Sequence, residues 1–271
     1  MDGRAGFLQK YGPWALVAGG SEGLGGAFAE ELAGRGLNLV LVARRRGPLD
    51  GMAAKLRSAH GVQVRVLPID LSERPSADAV EREIAGLEIG LLVCNAALAY
   101  TGVFLQAELS EYRRMIEVNC ASTLALVYSL GGTMAKRGRG GIIVMSSLAA
   151  FQGSPMVAVY GATKAFLVTL AEALADELKP HGVDVMACCP AVVTTPAFLS
   201  DGHNPNGPVP LSMEPGQVAR ETVSALGRKR IVVPGAMSKV AHFMLGRLMP
   251  RVAVVTMMGR STRAMYGERA K

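Results

Sequence analysis

A tyrosine and a lysine four residues apart are the side chains of this sequence best suited to proton chemistry. Tyr160 and Lys164 lie in the run MSSLAAFQGSPMVAVYGATKA, and on a helix such a spacing puts two residues on one face. A lysine cation favours the phenolate, so Lys164 should lower the pKa of Tyr160 from about 10 towards the range useful to a general acid. A solvated surface pair would have the same spacing, so further residues must decide.

Ser147 is a third candidate, thirteen residues before Tyr160. It follows the apolar run 142–145, which is typical of a buried strand. A strand end and the helix that follows can bring a hydroxyl and a phenol to one point. Ser147 could there hydrogen-bond a reacting oxygen, or it could be an ordinary loop residue.

The composition indicates an ordered globular chain. The 271 residues are 50% hydrophobic and 19% charged, which is ample for one large domain with a buried core. The net charge of +7 comes from dispersed basic residues rather than a tract. Because no basic patch with interleaved aromatic residues occurs, the sequence gives little support to nucleic-acid binding.

Cysteine, histidine and apolar residues are spaced in ways that disfavour several other classes. The four cysteines form no CxxC pair and the four histidines have no metal-ligand spacing, so we expect reduced thiols and no metal site. No signal-peptide pattern begins the sequence, and no apolar run is expected to be long enough to span a bilayer. These features favour a cytoplasmic location.

Apolar runs alternate with helical patterns along the chain. Helices are predicted at 24–35, 49–60, 77–87, 110–135 and 160–179. Strands are predicted at 14–18, 37–43, 62–67, 90–94, 141–145, 183–189 and 230–233. This alternation implies parallel pairing with right-handed crossovers. We therefore predict an α/β fold: a single doubly wound (Rossmann) domain over 1–271, with a seven-stranded, mostly parallel sheet and helices on both faces.

The turn after the first strand is rich in glycine. Gly19, Gly23 and Gly25 are spaced GxxxGxG between a predicted strand and a helix, with Ser21, Glu22 and Leu24 among them. Bare backbone and a helix N-terminus at this place allow close approach of a pyrophosphate. A purely structural turn is the alternative, since the spacing departs from GxGxxG.

The end of the second predicted strand carries arginines instead of an acid. A carboxylate there would bind the adenosine ribose, whereas the sequence has Arg44-Arg45-Arg46. A guanidinium pairs with a 2′-phosphate through two hydrogen bonds, so Arg44 favours NADPH over NADH. The alternative is that these arginines begin a solvated helix.

Taken together, these motifs over residues 13–196 resemble the short-chain dehydrogenase/reductase family. Ala18–Gly25 looks like its TGxxxGxG motif, Cys94–Ala97 like NNAG, Asn119 like its helix asparagine, and Tyr160 and Lys164 like its YxxxK. The sequence departs from the family pattern at Ala18, Cys94, Ala97 and Ala191, all in supporting positions. The resemblance implies cofactor contacts from Gly19, Ser21, Glu22, Gly23, Leu24, Gly25, Arg44, Asp70, Leu71, Asn95, Tyr160, Lys164, Pro190, Val193 and Thr195.

The resemblance also implies a mechanism. Tyr160 would exchange a proton with the substrate oxygen, and Lys164 would lower the pKa of Tyr160 and hold the nicotinamide ribose. Ser147 would bind the developing oxyanion, and Asn119 would hold a water that links Lys164 to solvent. The implied activity is NADPH-dependent interconversion of a ketone and a secondary alcohol, as in hydroxysteroid dehydrogenases and ketoreductases. A homodimer is expected, because the helices with Asn119 and Tyr160 form dimer faces in the family.

The substrate region is less specific. Residues 197–215 are rich in Gly, Pro and Asn and suggest a loop that closes over the site as a lid; a passive surface loop is the alternative. The apolar candidates for the pocket suggest a steroid or a fatty-chain ketone. They are Ala149, Phe151, Met156, Val157, Phe198 and Leu199.

Residues 236–271 form a basic, amphipathic extension. Val240, Phe243, Met244 and Leu248 could form one face of a helix that Pro250 interrupts. The extension either packs on the domain with a basic outer face or meets anionic lipid as a peripheral membrane contact.

Two other functions are compatible with parts of the sequence. A 3-oxoacyl-thioester reductase would use the same chemistry, but as the resemblance suggests, acyl-carrier reductases usually lack the long C-terminal extension. A non-catalytic NADPH-binding sensor or scaffold would not need a proton donor, and the intact Asn119, Ser147, Tyr160 and Lys164 set argues against it.

Overall fold

The computed structural model describes residues 3–199 and 211–266. Continuous runs of Val, Leu and Ile form parallel strands, as expected where both faces of a sheet are covered. The strands are β1 Trp14–Ala18, β2 Asn38–Ala43, β3 Val64–Pro68, β4 Ile89–Cys94, β5 Gly140–Met145, β6 Val183–Cys188 and β7 Ile231–Val232.

The strands form one sheet in the order β3-β2-β1-β4-β5-β6-β7, and every pair is parallel. β1 lies between β2 and β4, with Ala18 paired to Val42 on one side and to Cys94 on the other. The strand order therefore reverses at β1, and the carboxyl ends of β1 and β4 flank the crevice where ligands bind in such sheets. The predicted doubly wound fold is confirmed, and the sheet is wholly rather than mostly parallel.

Helices cover both faces of the sheet. They are α1 Gly3–Tyr11, α2 Gly23–Gly34, α3 Arg46–His60, α4 Ser76–Glu83, α5 Leu109–Ile116, α6 Ser122–Arg137, α7 Ala158–Glu177, α8 Pro196–Leu199, α9 Pro215–Ala225, α10 Ala236–Arg247 and α11 Arg251–Tyr266. One core contains Phe28, Leu56 and Val218 from α2, α3 and α9, and the core on the other face contains Leu126 and Leu167 from α6 and α7. Each face thus has its own apolar layer, which holds the strand ends in fixed positions.

The structure corrects the helix predictions at four places. Helices α1, α8 and α9 were not predicted. The predicted helix 110–135 is interrupted by a π-helical turn, Glu117–Ala121, between α5 and α6. Such turns insert one residue into a helix and are frequent at functional sites.

Helix α7 corrects another expectation. It is long and apolar enough to cross a membrane by length and composition, with a mean hydropathy of 1.3 over its most apolar window. The core helix of a globular protein meets the same test, and α7 packs along β5 and β6 with Leu167 and Ala171 buried. We therefore describe α7 as a core helix of the domain.

Candidate active site

The carboxyl ends of the strands bring the predicted site residues to one edge of the sheet. A cavity of about 1020 Å³ lies along this edge. Of the predicted residues, those that line it are Gly19, Ser21, Glu22, Gly23, Leu24, Arg44, Asp70, Leu71, Asn95, Ser147, Ala149, Phe151, Val157, Tyr160, Lys164, Pro190, Val193, Thr195 and Phe198. Gly25, Asn119, Met156 and Leu199 do not line the cavity.

The turn after β1 requires glycine at two positions. Gly19 has a φ of +79°, and a Cβ there would lie 2.8 Å from the Cα of Ala96. A Cβ on Gly25 would lie 1.8 Å from the carbonyl oxygen of Gly19. The side chain of Asn95 donates a hydrogen bond of 3.1 Å to that same carbonyl and so ties the turn to the end of β4.

This turn fits the pyrophosphate of a dinucleotide. Helix α2 starts at Gly23 with no side-chain cap from Glu22, and its first residues, Gly23 and Leu24, line the cavity. Helix N-termini of this kind bind phosphate through their N–H groups and dipole. The close packing of bare backbone, rather than the motif alone, therefore supports the predicted cofactor position.

The three arginines after β2 have different surroundings. Arg45 pairs with Glu22, and Arg46 lies 3.3 Å from Asp50 in the first turn of α3. Arg44 is exposed, lines the cavity and has no hydrogen bond or ion pair with the part of the chain that the structure describes. Arg44 is therefore the arginine available for a phosphate, while the other two fit the alternative of a charged helix start.

Asp70 lies close to Arg44 at the end of β3. Its carboxylate accepts hydrogen bonds from the backbone N–H (2.9 Å) and the hydroxyl (2.7 Å) of Ser72. Burial alone would raise the pKa of Asp70, but the bonds from Ser72 and the charges of Arg44 and Arg114 outweigh it and lower that pKa. Asp70 is thus ionised at neutral pH, and it lines the cavity together with Arg44.

The two serines after β5 have separate tasks. Ser147 lines the cavity, and its Oγ accepts a hydrogen bond of 3.2 Å from the N–H of Ala149, which leaves its own O–H to donate to a ligand oxygen. Ser146 is 4% exposed and donates at 2.7 Å to the carbonyl oxygen of Lys164. Ser146 was not among the predicted site residues, although it fastens α7 to the strand end.

Lys164 is the most deeply buried cation of the site. It is 3% exposed, its Nζ donates at 2.8 Å to the carbonyl oxygen of Met145, and that Nζ lies 5.5 Å from the ring centroid of Tyr160. Burial lowers the pKa of Lys164 to about 8, against smaller opposing effects of Cys120 and Cys189. The side chain therefore remains largely cationic at neutral pH, beside the Tyr160 ring as the sequence predicted.

Asn119 lies behind the cavity wall, fully buried in the π-helical turn. Its Oδ1 accepts from the N–H of Leu98 (2.8 Å), and its Nδ2 donates to the carbonyl oxygen of Leu98 (2.9 Å) and to Oγ1 of Thr163 (3.0 Å). Thr163 in turn donates at 2.8 Å to the carbonyl oxygen of Tyr160. Both amide hydrogens are thus used within the protein, so only oxygen atoms of Asn119 are left to bind the predicted water.

The segment after β6 closes the nicotinamide end. Thr195 packs against Gly23, where a Cβ would lie 3.3 Å from the threonine side chain, and its Oγ1 accepts from the N–H of Phe198 at 3.2 Å. Val193 pairs with Met213 in an isolated parallel bridge. Residues 197–199 belong to α8, whereas 200–210, the centre of the predicted lid, lie outside the described residues.

Two predicted pocket residues are placed elsewhere. Met156 has a φ of +70° and its carbonyl oxygen accepts from the N–H of Gly102 at 2.9 Å. Leu199 is 62% exposed at the end of α8. Neither lines the cavity: the left-handed backbone at Met156 directs that residue away, and Leu199 faces the exterior.

Helices α10 and α11 form a cavity wall that was not predicted. The lining residues from these helices and from the turn between them include Ala241, His242, Leu245, Met249, Val254, Met257, Met258 and Met265. The ring of His242 lies 4.1 Å from that of Phe151, centroid to centroid, and joins α10 to the segment after Ser147. The C-terminal helices therefore complete the substrate half of the cavity.

The predicted apolar face of α10 points outward. Val240, Phe243, Met244 and Leu248 are 57%, 58%, 47% and 61% exposed. The helix does end before Pro250 as predicted, but Ser238, rather than an apolar residue, is its buried side chain. The helix therefore meets the domain through another face, which carries His242 and Leu245, and leaves this apolar face exposed.

The chain matches the family model described as short chain dehydrogenase over residues 13–205. A 7beta-hydroxysteroid dehydrogenase of Clostridium sardiniense is 32% identical over 233 residues, covering 86% of this chain and 89% of that protein. A very-long-chain 3-oxoacyl-CoA reductase of Podospora anserina is 39% identical over 196 residues, or 69% of this chain and 58% of that one. The chain therefore belongs to the short-chain dehydrogenase/reductase family, as its motifs predicted.

Solved structures give the same result. One from a study of 7beta-hydroxysteroid dehydrogenase stereoselectivity has a TM-score of 0.88 at 30% identity, over 93% of this chain and 98% of that one. A short-chain dehydrogenase of Sphingobium yanoikuyae in complex with NADPH has a TM-score of 0.77 at 30% identity, over 88% and 96%. The fold is thus shared with oxidoreductases that act on CH–OH and C=O groups.

Proposed function

We propose that this protein is an NADPH-dependent oxidoreductase that interconverts a ketone and a secondary alcohol on a hydrophobic substrate. The observation that carries the proposal is that Ser147, Tyr160 and Lys164 line the same cavity as the glycine turn and Arg44. Proton-transferring groups and a dinucleotide cradle thus face one space. Family membership and an NADPH-bound relative support the same assignment.

The cofactor half supplies binding and orientation. The N-terminus of α2 and the turn at Gly19 would hold the pyrophosphate, and Arg44 would hold the 2′-phosphate. Asn95 keeps this turn in place through its bond to Gly19. The bound nicotinamide supplies the hydride chemistry, which no protein side chain can provide.

The other half of the cavity holds the residues that would transfer the proton. Tyr160 donates its phenolic proton to the ketone oxygen in reduction and accepts one from the alcohol in oxidation. Lys164 stabilises the phenolate by its charge, and Ser147 donates its O–H to the substrate oxygen as negative charge develops there. Asn119 is a positioning residue, because it joins the backbone at Leu98 to Thr163 on α7.

The test is NADPH oxidation by wild-type protein and by Tyr160→Phe, with Tyr100→Phe as the control because Tyr100 does not line the cavity. Loss of a general acid costs about 10²- to 10⁴-fold in turnover. We expect that loss in Tyr160→Phe with NADPH affinity retained, and an unchanged rate in the control. A wild-type rate in Tyr160→Phe would overturn the proposed role, and NADPH binding without turnover of any ketone would instead support the sensor.

The substrate assignment follows from the apolar cavity wall and from relatives named for steroid and acyl substrates. A panel of ketosteroids, 3-oxoacyl-CoA thioesters and small aromatic ketones separates the candidates. A ketosteroid should have the highest kcat/KM, because the matched steroid relative is covered almost fully, whereas the acyl-CoA reductase is covered over 58%. A higher kcat/KM for a 3-oxoacyl-CoA would establish the alternative function.

We also propose that the protein is a homodimer. Apolar side chains are exposed on the helices beside the site: Ile116 (48%), Leu124 (44%), Tyr128 (84%) and Phe166 (40%). Such a surface is typical of an interface. Sedimentation velocity should give a dimer that Leu124→Glu with Tyr128→Glu converts to a monomer; a monomeric wild type would contradict this.

A peripheral membrane contact is the last part of the proposal, for an enzyme located in the cytoplasm. Met237, Val240, Met244 and Leu248 form an exposed stripe along α10. Within 236–266 the charged residues are Lys239, Arg247, Arg251, Arg260 and Arg263, with no acid. Lys239 pairs with Glu221 at 3.3 Å, whereas the four arginines have no ion pair with the described residues. Exposed apolar residues beside such arginines favour an anionic lipid surface.

Vesicle flotation tests this contact while the cavity wall stays in place. Wild-type protein should float with phosphatidylserine-containing vesicles, and Val240→Glu with Leu248→Glu should not. Leu105→Glu, which changes an 88% exposed leucine on another element, is the control. Absence of flotation in wild type would remove the membrane contact, and a change in oligomeric state of the α10 variant would assign the stripe to a second copy of the chain.

A further inference from the structure

The charges along the cavity are unevenly distributed. Among the described lining residues, the acids are Glu22 and Asp70, and both lie in the cofactor half. The lining cations are Arg44, Arg45 and Lys164, which belong to the cofactor and proton sites, and Arg251. Arg251 is thus the one guanidinium that borders the substrate half as far as the structure describes it.

Arg251 stands at the start of α11, directly after Pro250. It is exposed at the cavity rim and has no hydrogen bond or ion pair with residues 3–199 and 211–266. Its neighbours on the wall, Met249 and Val254, are apolar. Other arginines of these helices, such as Arg260, also have no ion pair with the described residues, but they do not border the cavity. Arg251 is therefore distinguished by its position at the cavity.

We propose that Arg251 binds an anionic group carried by the substrate, where the apolar wall of the cavity meets solvent. This inference rests on the proposed function and names the substrate class more closely: an apolar ketone with a terminal carboxylate or comparable anion. The methionine-rich wall would contact the apolar body. The guanidinium would bind the anion through two hydrogen bonds, and the N-terminal end of α11 would add a favourable dipole.

An arginine suits this position for physical reasons. A guanidinium is weakly hydrated and presents donors in a plane that matches a carboxylate. Because Arg251 is exposed at the rim, solvent and salt weaken the contact, so the effect on affinity should be moderate and should fall with ionic strength. A neutral ester of the same substrate would gain nothing from it.

The experiment compares a ketosteroid bearing a side-chain carboxylate with its methyl ester and with a sulfate-ester analogue. The enzymes are wild type, Arg251→Gln, Arg251→Lys and the matched control Arg260→Gln. Steady-state kinetics with saturating NADPH give kcat and KM at 20 and 200 mM NaCl. Direct titration of NADPH with each variant checks that the cofactor site is intact.

For the acid, we expect Arg251→Gln to raise KM about tenfold with kcat nearly unchanged, since a charged hydrogen bond at a solvated site is worth about that factor. Arg251→Lys should recover part of the loss, and the ester should be indifferent to all three variants. A preference for the sulfate ester over the acid would identify the anion as a sulfate. Equal KM for acid and ester in wild type and Arg251→Gln would overturn the inference, whereas failure to reduce any of these ketones would instead refute the proposed function.

Discussion

Replacing Lys164 with methionine tests the electrostatics of the site through protein stability. Burial lowers the pKa of Lys164 from 10.5 to about 8. Each pKa unit between folded and unfolded states corresponds to about 1.4 kcal/mol, so the buried charge costs about 3 kcal/mol of stability at neutral pH. Methionine fills a similar volume without the charge. The variant also loses the hydrogen bond from Lys164 to the carbonyl oxygen of Met145, and this loss lowers its stability by an amount that does not depend on pH.

The sign of the pH dependence follows from proton binding. Between pH 8 and pH 10.5 the unfolded chain holds the lysine proton and the folded chain does not, so the free energy of unfolding rises with pH. From pH 7 to pH 10 the wild type should gain about 2 to 3 kcal/mol relative to Lys164→Met. The neighbouring thiol of Cys189, whose pKa burial raises to about 12, stays protonated over this range.

The assay is urea unfolding of both proteins without cofactor at pH 7, 8, 9 and 10, followed by the fluorescence of Trp14, the one tryptophan of the sequence. Linear extrapolation gives the free energy of unfolding at each pH. Groups remote from Lys164, such as Tyr11, are common to both proteins and cancel in the difference. Tyr160 lies beside Lys164 and would not cancel, so both proteins are made in the Tyr160→Phe background. A difference that stays constant from pH 7 to pH 10 would refute the reasoning, because it would mean that Lys164 is as well solvated as in the unfolded chain.

Three further substitutions probe other parts of the site. Arg44→Ala should raise the KM for NADPH about 10- to 100-fold and leave that for NADH nearly unchanged; Arg46→Ala is the control, and equal effects on both cofactors would contradict the assignment. Gly25→Ala should abolish NADPH binding in a fluorescence titration, because its Cβ would lie 1.8 Å from the Gly19 oxygen; normal binding would show that the turn can move. Asn119→Ala should lower the free energy of urea unfolding by about 3 kcal/mol, since three buried hydrogen bonds are lost; a loss below about 1 kcal/mol would show that it braces little.

The sheet could be predicted from sequence because its strands are covered on both faces. Runs such as 14–18 and 38–43 are apolar at nearly every position, so a strand and its approximate ends follow directly from composition. The strand order places Gly19, Arg44 and Asn95 after adjacent strands, which explains why motif residues far apart in sequence meet at one edge. The residues that line the cofactor half were therefore accessible to reasoning from sequence.

The residues that support the site through hydrogen bonds could not be predicted from sequence. Ser146 and Thr163 act through hydrogen bonds to backbone carbonyl groups of Lys164 and Tyr160, and no sequence pattern reveals such a partner. The orientation of α10 could not be predicted for a different reason. Periodicity shows that a helix has an apolar face, but it does not show whether that face meets the domain or the exterior. A signal for α9 was present in the sequence, since Pro215 opens a stretch with Val218, Thr222 and Val223 on one side.

The wall built from α10 and α11 can vary in sequence independently of the residues proposed to transfer the proton. The family model ends at residue 205, whereas this wall occupies 236–266. Ser147, Tyr160 and Lys164, the residues proposed to transfer the proton, are held by elements of the core. The wall faces them across the cavity and meets the segment after Ser147 through contacts such as that of His242 with Phe151. Substitutions in this C-terminal stretch can therefore change which ketone is accepted while the groups that reduce it stay unaltered. A chain built in this way can diversify its substrates by exchanging its last two described helices as a unit.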